Sequence, residues 1–226
     1  MILVVGHNLA WQKVGHLPAL RRGEVNRLRS LREFASGKSV NVVRALRALG
    51  GTGEAIGYAG GQAGRKLEHD VRSEGLPCRL VSIVEETRTC TTVAEPDGTC
   101  TELIEPSPHV GAEEREAMHR TVMERLKAAR LLLISGTTPD GETEDCYREY
   151  VRAAHERGLP VMLDSSGLPA RKALVEHPEI IKINVHELAE LSGAPTDSAE
   201  KRRAACTDRP RMLISRTSTG TSTDVR

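Results

Sequence analysis

The second half of the chain alternates short apolar runs with segments of helical periodicity, and this alternation constrains the fold more than any other feature. The apolar runs are 131–134, 161–163, 180–183 and 212–214, and the predicted helices are 112–129, 142–157, a short segment from Pro169, and 186–191. Short, continuous apolar runs are typical of strands buried on both faces. Their alternation with amphipathic helices predicts an α/β layered domain with a mostly parallel central sheet.

A polar residue follows each of these four apolar runs. The four residues are Ser135, Asp164, Asn184 and Ser215. Since ligands of parallel sheets bind at the carboxyl ends of the strands, the pattern predicts a ligand-binding rim. The alternative, in which these residues only cap helices and form turns, is open at this stage.

The first half of the chain has a different pattern. Segments 87–94 and 100–104 alternate around the turn sequence Pro96-Asp97-Gly98, which predicts a β-hairpin. Together with segments from about 11 to 34, this hairpin is expected to form a small antiparallel sheet that acts as a lid. No repeat or linker divides the chain, so we expect one domain, 1–226, with lid segments at about 11–34 and 86–104.

Composition excludes several classes of partner. Lys and Arg number 32 and Asp and Glu number 31, so no overall charge draws the protein to nucleic acid or to a membrane. The five cysteines are scattered without metal-ligand spacing, which indicates reduced thiols. The apolar N-terminus lacks the features of a signal peptide, and no run reaches membrane-spanning length, so a cytoplasmic protein is predicted.

A glycine turn before a predicted helix is the clearest candidate site. Gly37 and Lys38 precede a helix that is expected to begin at 39 or 40, and a helix N-terminus with a lysine beside it favours a phosphate group. The stretch is not a P-loop, because Arg32 occupies the position of the first glycine of that motif. The alternative is that Gly37 only turns the chain and that Lys38 is a solvated surface residue.

The segment 36–44, Ser-Gly-Lys-Ser-Val-Asn-Val-Val-Arg, resembles the Gly-Gly-Lys-Gly-x-Asn-Val-x-Arg motif of the ribokinase-like carbohydrate kinases, or PfkB family. The similarity is to the 1-phosphofructokinase and tagatose-6-phosphate kinase branch. Other segments match this branch in its order, namely 25–27, 57–61, 86–89, 101–103, 135–136, 163–167 and 182–187. The resemblance implies a ribokinase-like three-layer α/β/α fold with a small β-sheet lid. It also implies a homodimer that forms through the lid.

The resemblance implies roles for residues on the sugar side of the site. Gly37, Lys38 and Asn41 would hold the sugar phosphate, and Arg88 would reach in from the lid to neutralise it. Gln12 stands where the family has an aspartate that binds sugar hydroxyls. Ser36 and Ser39 occupy positions usually held by glycine, and positive φ at either would cost roughly 1 kcal/mol.

On the nucleotide side, the resemblance implies ATP and Mg²⁺ as cofactors. Asn184 and Glu187 would face the ATP phosphates, with Glu187 holding Mg²⁺ through water. Lys182 and Ser215 would flank the nucleotide. The implied reaction is phosphoryl transfer from ATP to a hydroxyl of fructose 1-phosphate, fructose 6-phosphate or tagatose 6-phosphate.

One family motif is missing from the sequence. The Gly-Ala-Gly-Asp or Gly-Ser-Gly-Asp motif, which supplies the catalytic aspartate, is not found before the chain ends at Arg226. We therefore expect the C-terminal part of the fold to be missing and turnover to be undetectable. Asp224 is not a substitute, since no following helix would orient it, and it is expected to be exposed and mobile. The alternative function is a non-catalytic remnant that binds sugar phosphate, or an interaction protein.

Overall fold

A computed structural model describes residues 1–192, 198, 211–215 and 222–224. The strands are β1 (Ile2–Asn8), β2 (Ala10–His16), β3 (Ser30–Ser36), β4 (Gly53–Gly60), β5 (Cys78–Ile83), β6 (Thr89–Ala94), β7 (Cys100–Ile104), β8 (Leu131–Ser135), β9 (Val161–Asp164), β10 (Ile180–Asn184), β11 (Arg211–Ser215) and β12 (Ser222–Asp224). The helices are α1 (Lys38–Ala48), α2 (Gly61–Ser73), α3 (Ala112–Leu126), α4 (Cys146–His155), α5 (Gly167–Ala173) and α6 (Val185–Ser192), and a 3₁₀ turn covers Leu174–Glu176.

In this part of the chain the main sheet has eight strands in the order β12-β11-β10-β9-β8-β1-β4-β5. All neighbouring pairs are parallel except β11 and β12, which run antiparallel. The predicted mostly parallel sheet is therefore confirmed. Because the parallel strands point the same way, the carboxyl ends of β1, β8, β9, β10 and β11 meet at one edge of the sheet.

Helices cover both faces of this sheet. Along β1, Leu3 and Val5 pack into a core with side chains of α3 and α4, whereas Val4 packs into a second core with side chains of α1 and α2. All three side chains are fully buried. Successive residues of a strand point to opposite faces, so an uninterrupted apolar run is what a strand between two helical layers requires. The result is the expected three-layer α/β/α arrangement.

A second sheet, which we call the lid sheet, consists of β3, β2, β6 and β7 in that order. The hairpin predicted around 96–98 is present as the antiparallel pair β6 and β7. The sheet was predicted to be antiparallel, and two of its three strand pairs are, but β2 and β6 pair in parallel. Strand β2 follows β1, and β6 follows β5. Because β1 and β5 are parallel strands of the main sheet, the chain leaves that sheet at the same edge both times, and β2 and β6 run in the same direction.

Several boundaries differ from the sequence prediction. Helix α1 begins at Lys38, one or two residues earlier than expected, and α4 begins at Cys146 rather than at Glu142. In the described residues His177 is the one non-glycine residue with positive φ, so the strain considered for Ser36 and Ser39 is absent. The backbone of Asp224 lies in β12 opposite Leu213; the structure describes only the backbone at this position.

Within the same described ranges, none of the helices has the length and apolar character needed to cross a membrane.

Candidate functional site

Asp164, the last residue of β9, lies at the centre of the polar edge of the main sheet. It pairs with Ser135, the last residue of β8, and the Ser135 hydroxyl donates to Asp164 Oδ2 at 3.1 Å. The Gly136 N–H donates to the Asp164 carbonyl oxygen at 2.9 Å. The Asp164 side chain is 13% exposed, so its carboxylate faces the site while its position is set by β8.

The glycine turn places Lys38 against this carboxylate. Gly37 is the N-cap of α1 with φ of 119°, a conformation that favours glycine. A Cβ at this position would lie 2.7 Å from Leu9 Cδ2 and 3.0 Å from Leu9 Cα, so the close approach of the two chains also requires glycine. Lys38 Nζ lies 3.2 Å from Asp164 Oδ1, and the lysine side chain is half-exposed.

A second lysine contacts the same oxygen. Lys182, on β10, places its Nζ 3.2 Å from Asp164 Oδ1. Asp164 therefore joins Lys38, which was expected on the sugar side, to Lys182, which was expected on the nucleotide side. Two ammonium groups on one carboxylate give this group of three side chains one net positive charge, which favours an anion beside it.

The start of α1 differs from the starts of two other helices near this edge. In α1 the first turn contains no acidic residue and Gly37 offers no side-chain cap. At the start of α2, the Ala63 N–H donates to Glu86, and hydrogen bonds from the backbones of Ala63 and Gln62 hold the pKa of Glu86 below its usual range. The start of α6, which follows β10 and therefore also Lys182, has a side-chain cap, unlike the start of α1.

That cap is formed by Asn184 and Glu187. The Asn184 N–H donates to Glu187 Oε2 at 2.7 Å, and the Glu187 N–H donates to Asn184 Oδ1 at 2.9 Å. This is a reciprocal capping box at the start of α6. Both residues thus have a structural role in addition to any ligand contact. Ser215 pairs with Asn184 through the backbones of β11 and β10, and its side chain lies outside the described residues.

Arg88 links the lid sheet to the end of β1. Its Nη2 donates to the Asn8 carbonyl oxygen at 3.3 Å and its Nε to the Leu9 carbonyl oxygen at 3.4 Å. Both contacts are long, and the side chain is half-buried. The guanidinium group is therefore held at the junction of the two sheets by weak bonds that a stronger acceptor would replace.

Gln12 and Asn41 form hydrogen bonds within their own surroundings. The Gln12 side-chain amide donates to the Thr92 hydroxyl at 3.0 Å, inside the lid sheet. Asn41 Oδ1 accepts from Arg44 Nη1 at 2.8 Å, and Asn41 Nδ2 contacts the Ser36 hydroxyl at 3.4 Å. The structure thus brings Lys38 and Lys182 together at Asp164. The hydrogen bonds given above for Gln12 and Asn41 are instead with residues outside this group.

Asp164 is the site residue to which the sequence analysis gave no role. It was recognised as part of the polar rim, and its position at the end of an apolar run was the available signal. Asn8 was likewise given no role. Its side-chain amide donates to the Ser107 hydroxyl at 2.7 Å and to the Thr137 hydroxyl at 3.2 Å, which joins β1 to the segments that follow β7 and β8.

Comparisons with known proteins agree with this architecture. A family model described as pfkB family carbohydrate kinase matches residues 1–223. A tagatose-6-phosphate kinase from Staphylococcus epidermidis is 31% identical over 188 residues, which cover 82% of this chain and 60% of that protein. The chain thus spans about three-fifths of the length of this curated relative.

Two solved structures illustrate the similarity of the fold. Phosphofructokinase-2 from Escherichia coli in complex with fructose-6-phosphate superposes with a TM-score of 0.88 at 23% identity, over 99% of this chain and 78% of that one. Ribokinase from Arabidopsis thaliana complexed with ribose and ATP superposes with a TM-score of 0.67 at 18% identity, over 99% of this chain and 77% of that one. At these identities the likeness concerns the fold.

Proposed function

The chain belongs to the pfkB family of carbohydrate kinases, and on that premise we propose that its site binds a phosphorylated ketohexose for phosphoryl transfer from ATP. Fructose 1-phosphate, fructose 6-phosphate and tagatose 6-phosphate are the candidate substrates. The observation that carries the proposal is the position of Lys38, at a helix start without an acidic side chain and in contact with Asp164. A phosphate group is the ligand that best fits a lysine and free backbone N–H groups at a helix N-terminus.

On the sugar side, Lys38 and the turn at Gly37 bind the phosphate of the substrate. Arg88 supplies a planar fork of donors from the junction of the two sheets, and its long bonds to carbonyl oxygens are exchanged for a phosphate oxygen. Asn41, at the first turns of α1, and Gln12, in the lid sheet, complete the set of polar groups offered to the sugar. Two cations for one phosphate dianion account for selection of a phosphorylated over a free sugar.

On the nucleotide side, Lys182 and Ser215 flank ATP, and Asn184 lies at the start of α6 beside its phosphates. Glu187 and Asn184 present a carboxylate and an amide oxygen, the donor type that Mg²⁺ prefers, so the residues fit this ion, with Glu187 holding it through water. When bound, Mg²⁺ neutralises charge on the transferring phosphates. Asp164 is a positioning residue in this proposal, because it holds Lys38 and Lys182 at the boundary between the two substrates.

The reaction also needs a base for the attacking hydroxyl, and the sequence holds no Gly-Ala-Gly-Asp or Gly-Ser-Gly-Asp motif. For the chain of 226 residues we therefore propose sugar-phosphate binding without detectable turnover. Separately, we propose a cytoplasmic location, which agrees with its scattered cysteines. Its second candidate function, a non-catalytic sugar-phosphate-binding protein, is favoured by the same missing motif.

The test compares binding of the phosphorylated sugars with binding of their parts. Calorimetric titration of the chain with fructose 6-phosphate, tagatose 6-phosphate and fructose 1-phosphate is expected to give at least one dissociation constant that is tenfold or more below those of fructose and inorganic phosphate. Equal affinity for the sugar phosphates and for inorganic phosphate would reject the sugar site. A coupled assay of ATP turnover tests the proposed lack of activity, since measurable turnover with any of these sugars would contradict it and would also reject the non-catalytic function.

We further propose a homodimer that forms through the lid sheet. The edge strands of this sheet carry three large apolar side chains that are exposed, namely Leu31, Leu103 and Ile104, at 49%, 62% and 59%. Apolar groups on the outer strands of a small sheet favour burial against a second copy. Sedimentation equilibrium is expected to give a dimer for the chain and a monomer for Leu103→Lys; a monomeric wild-type chain would reject this interface.

A further inference from the structure

A buried cluster of His7, Glu142 and Cys146 lies apart from the lysine pair. His7 is on β1, on the face of the sheet that is covered by α3 and α4, whereas Lys38 belongs to the helical layer on the other face. Glu142 precedes α4, and Cys146 is the first residue of that helix. We propose that these three side chains form a binding site for a divalent metal ion, and that Zn²⁺ is the ion whose chemistry they match best.

The ligand atoms are close enough to share one ion. His7 Nδ1 lies 3.1 Å from Glu142 Oε2, and one ligand atom from each of the three residues lies within 4.8 Å of the others. Tetrahedral zinc with bonds of about 2.0–2.3 Å separates its ligand atoms by roughly 3.5 Å. The histidine and glutamate atoms are already at this spacing. The Cys146 sulfur lies within 4.8 Å of both atoms, so a movement of at most about 1 Å brings it to the same spacing.

His7 provides independent support for a ligand at this place. Its side chain is fully buried, and within the described residues neither of its ring nitrogens has a hydrogen-bond partner. The Nδ1 atom lies opposite Glu142 Oε2 at 3.1 Å, a close polar contact that an ion bound between the two atoms would replace. Buried polar atoms are nearly always satisfied, so an unsatisfied pair of ring nitrogens beside a carboxylate and a thiol requires an explanation. Coordination of an ion by Nδ1 supplies one of the two missing interactions.

The surroundings of Glu142 orient its carboxylate as a ligand. Its Oε2 accepts from the Tyr58 hydroxyl at 2.8 Å, and its Oε1 accepts from the Thr143 N–H at 2.9 Å. The His7 ring is enclosed by the rings of three tyrosines, Tyr58, Tyr147 and Tyr150, with centroids at 5.3, 5.2 and 5.6 Å. In protein metal sites, hydrogen bonds to the ligating groups orient them, and an apolar shell around the site limits access of water.

The types of ligand select the ion. An imidazole, a thiolate and one carboxylate suit zinc, whereas Mg²⁺ and Ca²⁺ require sites made of oxygen ligands. Three protein ligands leave a fourth position for water. The site is therefore chemically different from the oxygen-rich edge proposed for Mg²⁺, and the two sites are testable separately.

The test uses the untagged chain. Equilibrium dialysis against Zn²⁺, followed by elemental analysis, is expected to leave close to one equivalent bound, and excess Mg²⁺ is expected not to displace it. Titration with Co²⁺ is expected to produce a thiolate-to-cobalt charge-transfer band in the near ultraviolet. Cys146→Ala is expected to abolish this band, and His7→Gln to weaken zinc binding at least tenfold.

Cys90→Ala is the matched control, because Cys90 is a half-buried free cysteine in the lid sheet, and it is expected to keep both the stoichiometry and the band. Cys146→Ala replaces a thiol with a smaller side chain, and circular dichroism establishes that the variant is folded. A wild-type stoichiometry far below one, or zinc binding that survives unchanged in Cys146→Ala, would overturn the proposal. Binding lost in Cys90→Ala and kept in Cys146→Ala would do the same.

Discussion

Lys38→Ala is expected to weaken binding of fructose 6-phosphate, or of whichever sugar phosphate binds most tightly, by about tenfold to a hundredfold. A hydrogen bond to a charged group contributes about 1.5–3 kcal/mol, and each 1.4 kcal/mol corresponds to a factor of ten. Lys38 brings its charge to the start of α1, where the backbone N–H groups already favour an anion. Calorimetric titration of the variant and of the wild-type chain measures the difference.

The substitution leaves the other contacts of Asp164 in place. In Lys38→Ala the Asp164 carboxylate keeps its contacts with Lys182 and with the Ser135 hydroxyl, so we expect little change in folding. The control is Lys172→Ala, which removes another lysine paired with carboxylates, at Glu144 and Asp145, outside the sheet edge. That variant is expected to bind the sugar phosphate as the wild-type chain does. If both lysine variants bind equally, Lys38 does not contact the phosphate.

Gly57→Ala is expected to destabilise the fold by about 2–3 kcal/mol, the upper part of the range of about 1–3 kcal/mol that is typical of overpacking in a core. A Cβ on this residue of β4 would lie 2.6 Å from the Gly6 carbonyl oxygen and 2.6 Å from Leu9 Cγ. The carbonyl oxygen belongs to the neighbouring strand β1, so it has little freedom to move. Leu9 in turn packs against Gly37, so the change also disturbs the turn that places Lys38. Urea denaturation measures the free energy of unfolding.

Gly111→Ala is the matched glycine variant. Gly111 precedes α3 with φ of −78°, and its added Cβ would lie 3.5 Å from Glu114 Oε2, an ordinary contact. We expect its stability to stay within about 0.5 kcal/mol of the wild-type value. Equal destabilisation in the two variants would contradict the role of close chain approach at Gly57.

The layered α/β fold was predictable because its signals are local. The runs at 131–134 and 180–183 lie within the observed strands Leu131–Ser135 and Ile180–Asn184, and the turn at 96–98 lies between β6 and β7. Apolar runs and turn sequences express preferences that act over a few residues. The parallel pairing of β2 with β6 was not predictable in this way, because those strands are far apart in sequence and their direction follows from how each leaves the main sheet.

The sequence by itself determined the glycine turn, the lysine beside it, the helix that follows, and a polar residue at the end of each buried strand. Only the tertiary structure decided that Lys38 and Lys182 contact one oxygen of Asp164, the first of them across 126 residues of chain. It also brought His7 to Glu142 and Cys146. The physical reason is that local preferences set where strands and helices begin and end, whereas the order and packing of those elements set which side chains meet.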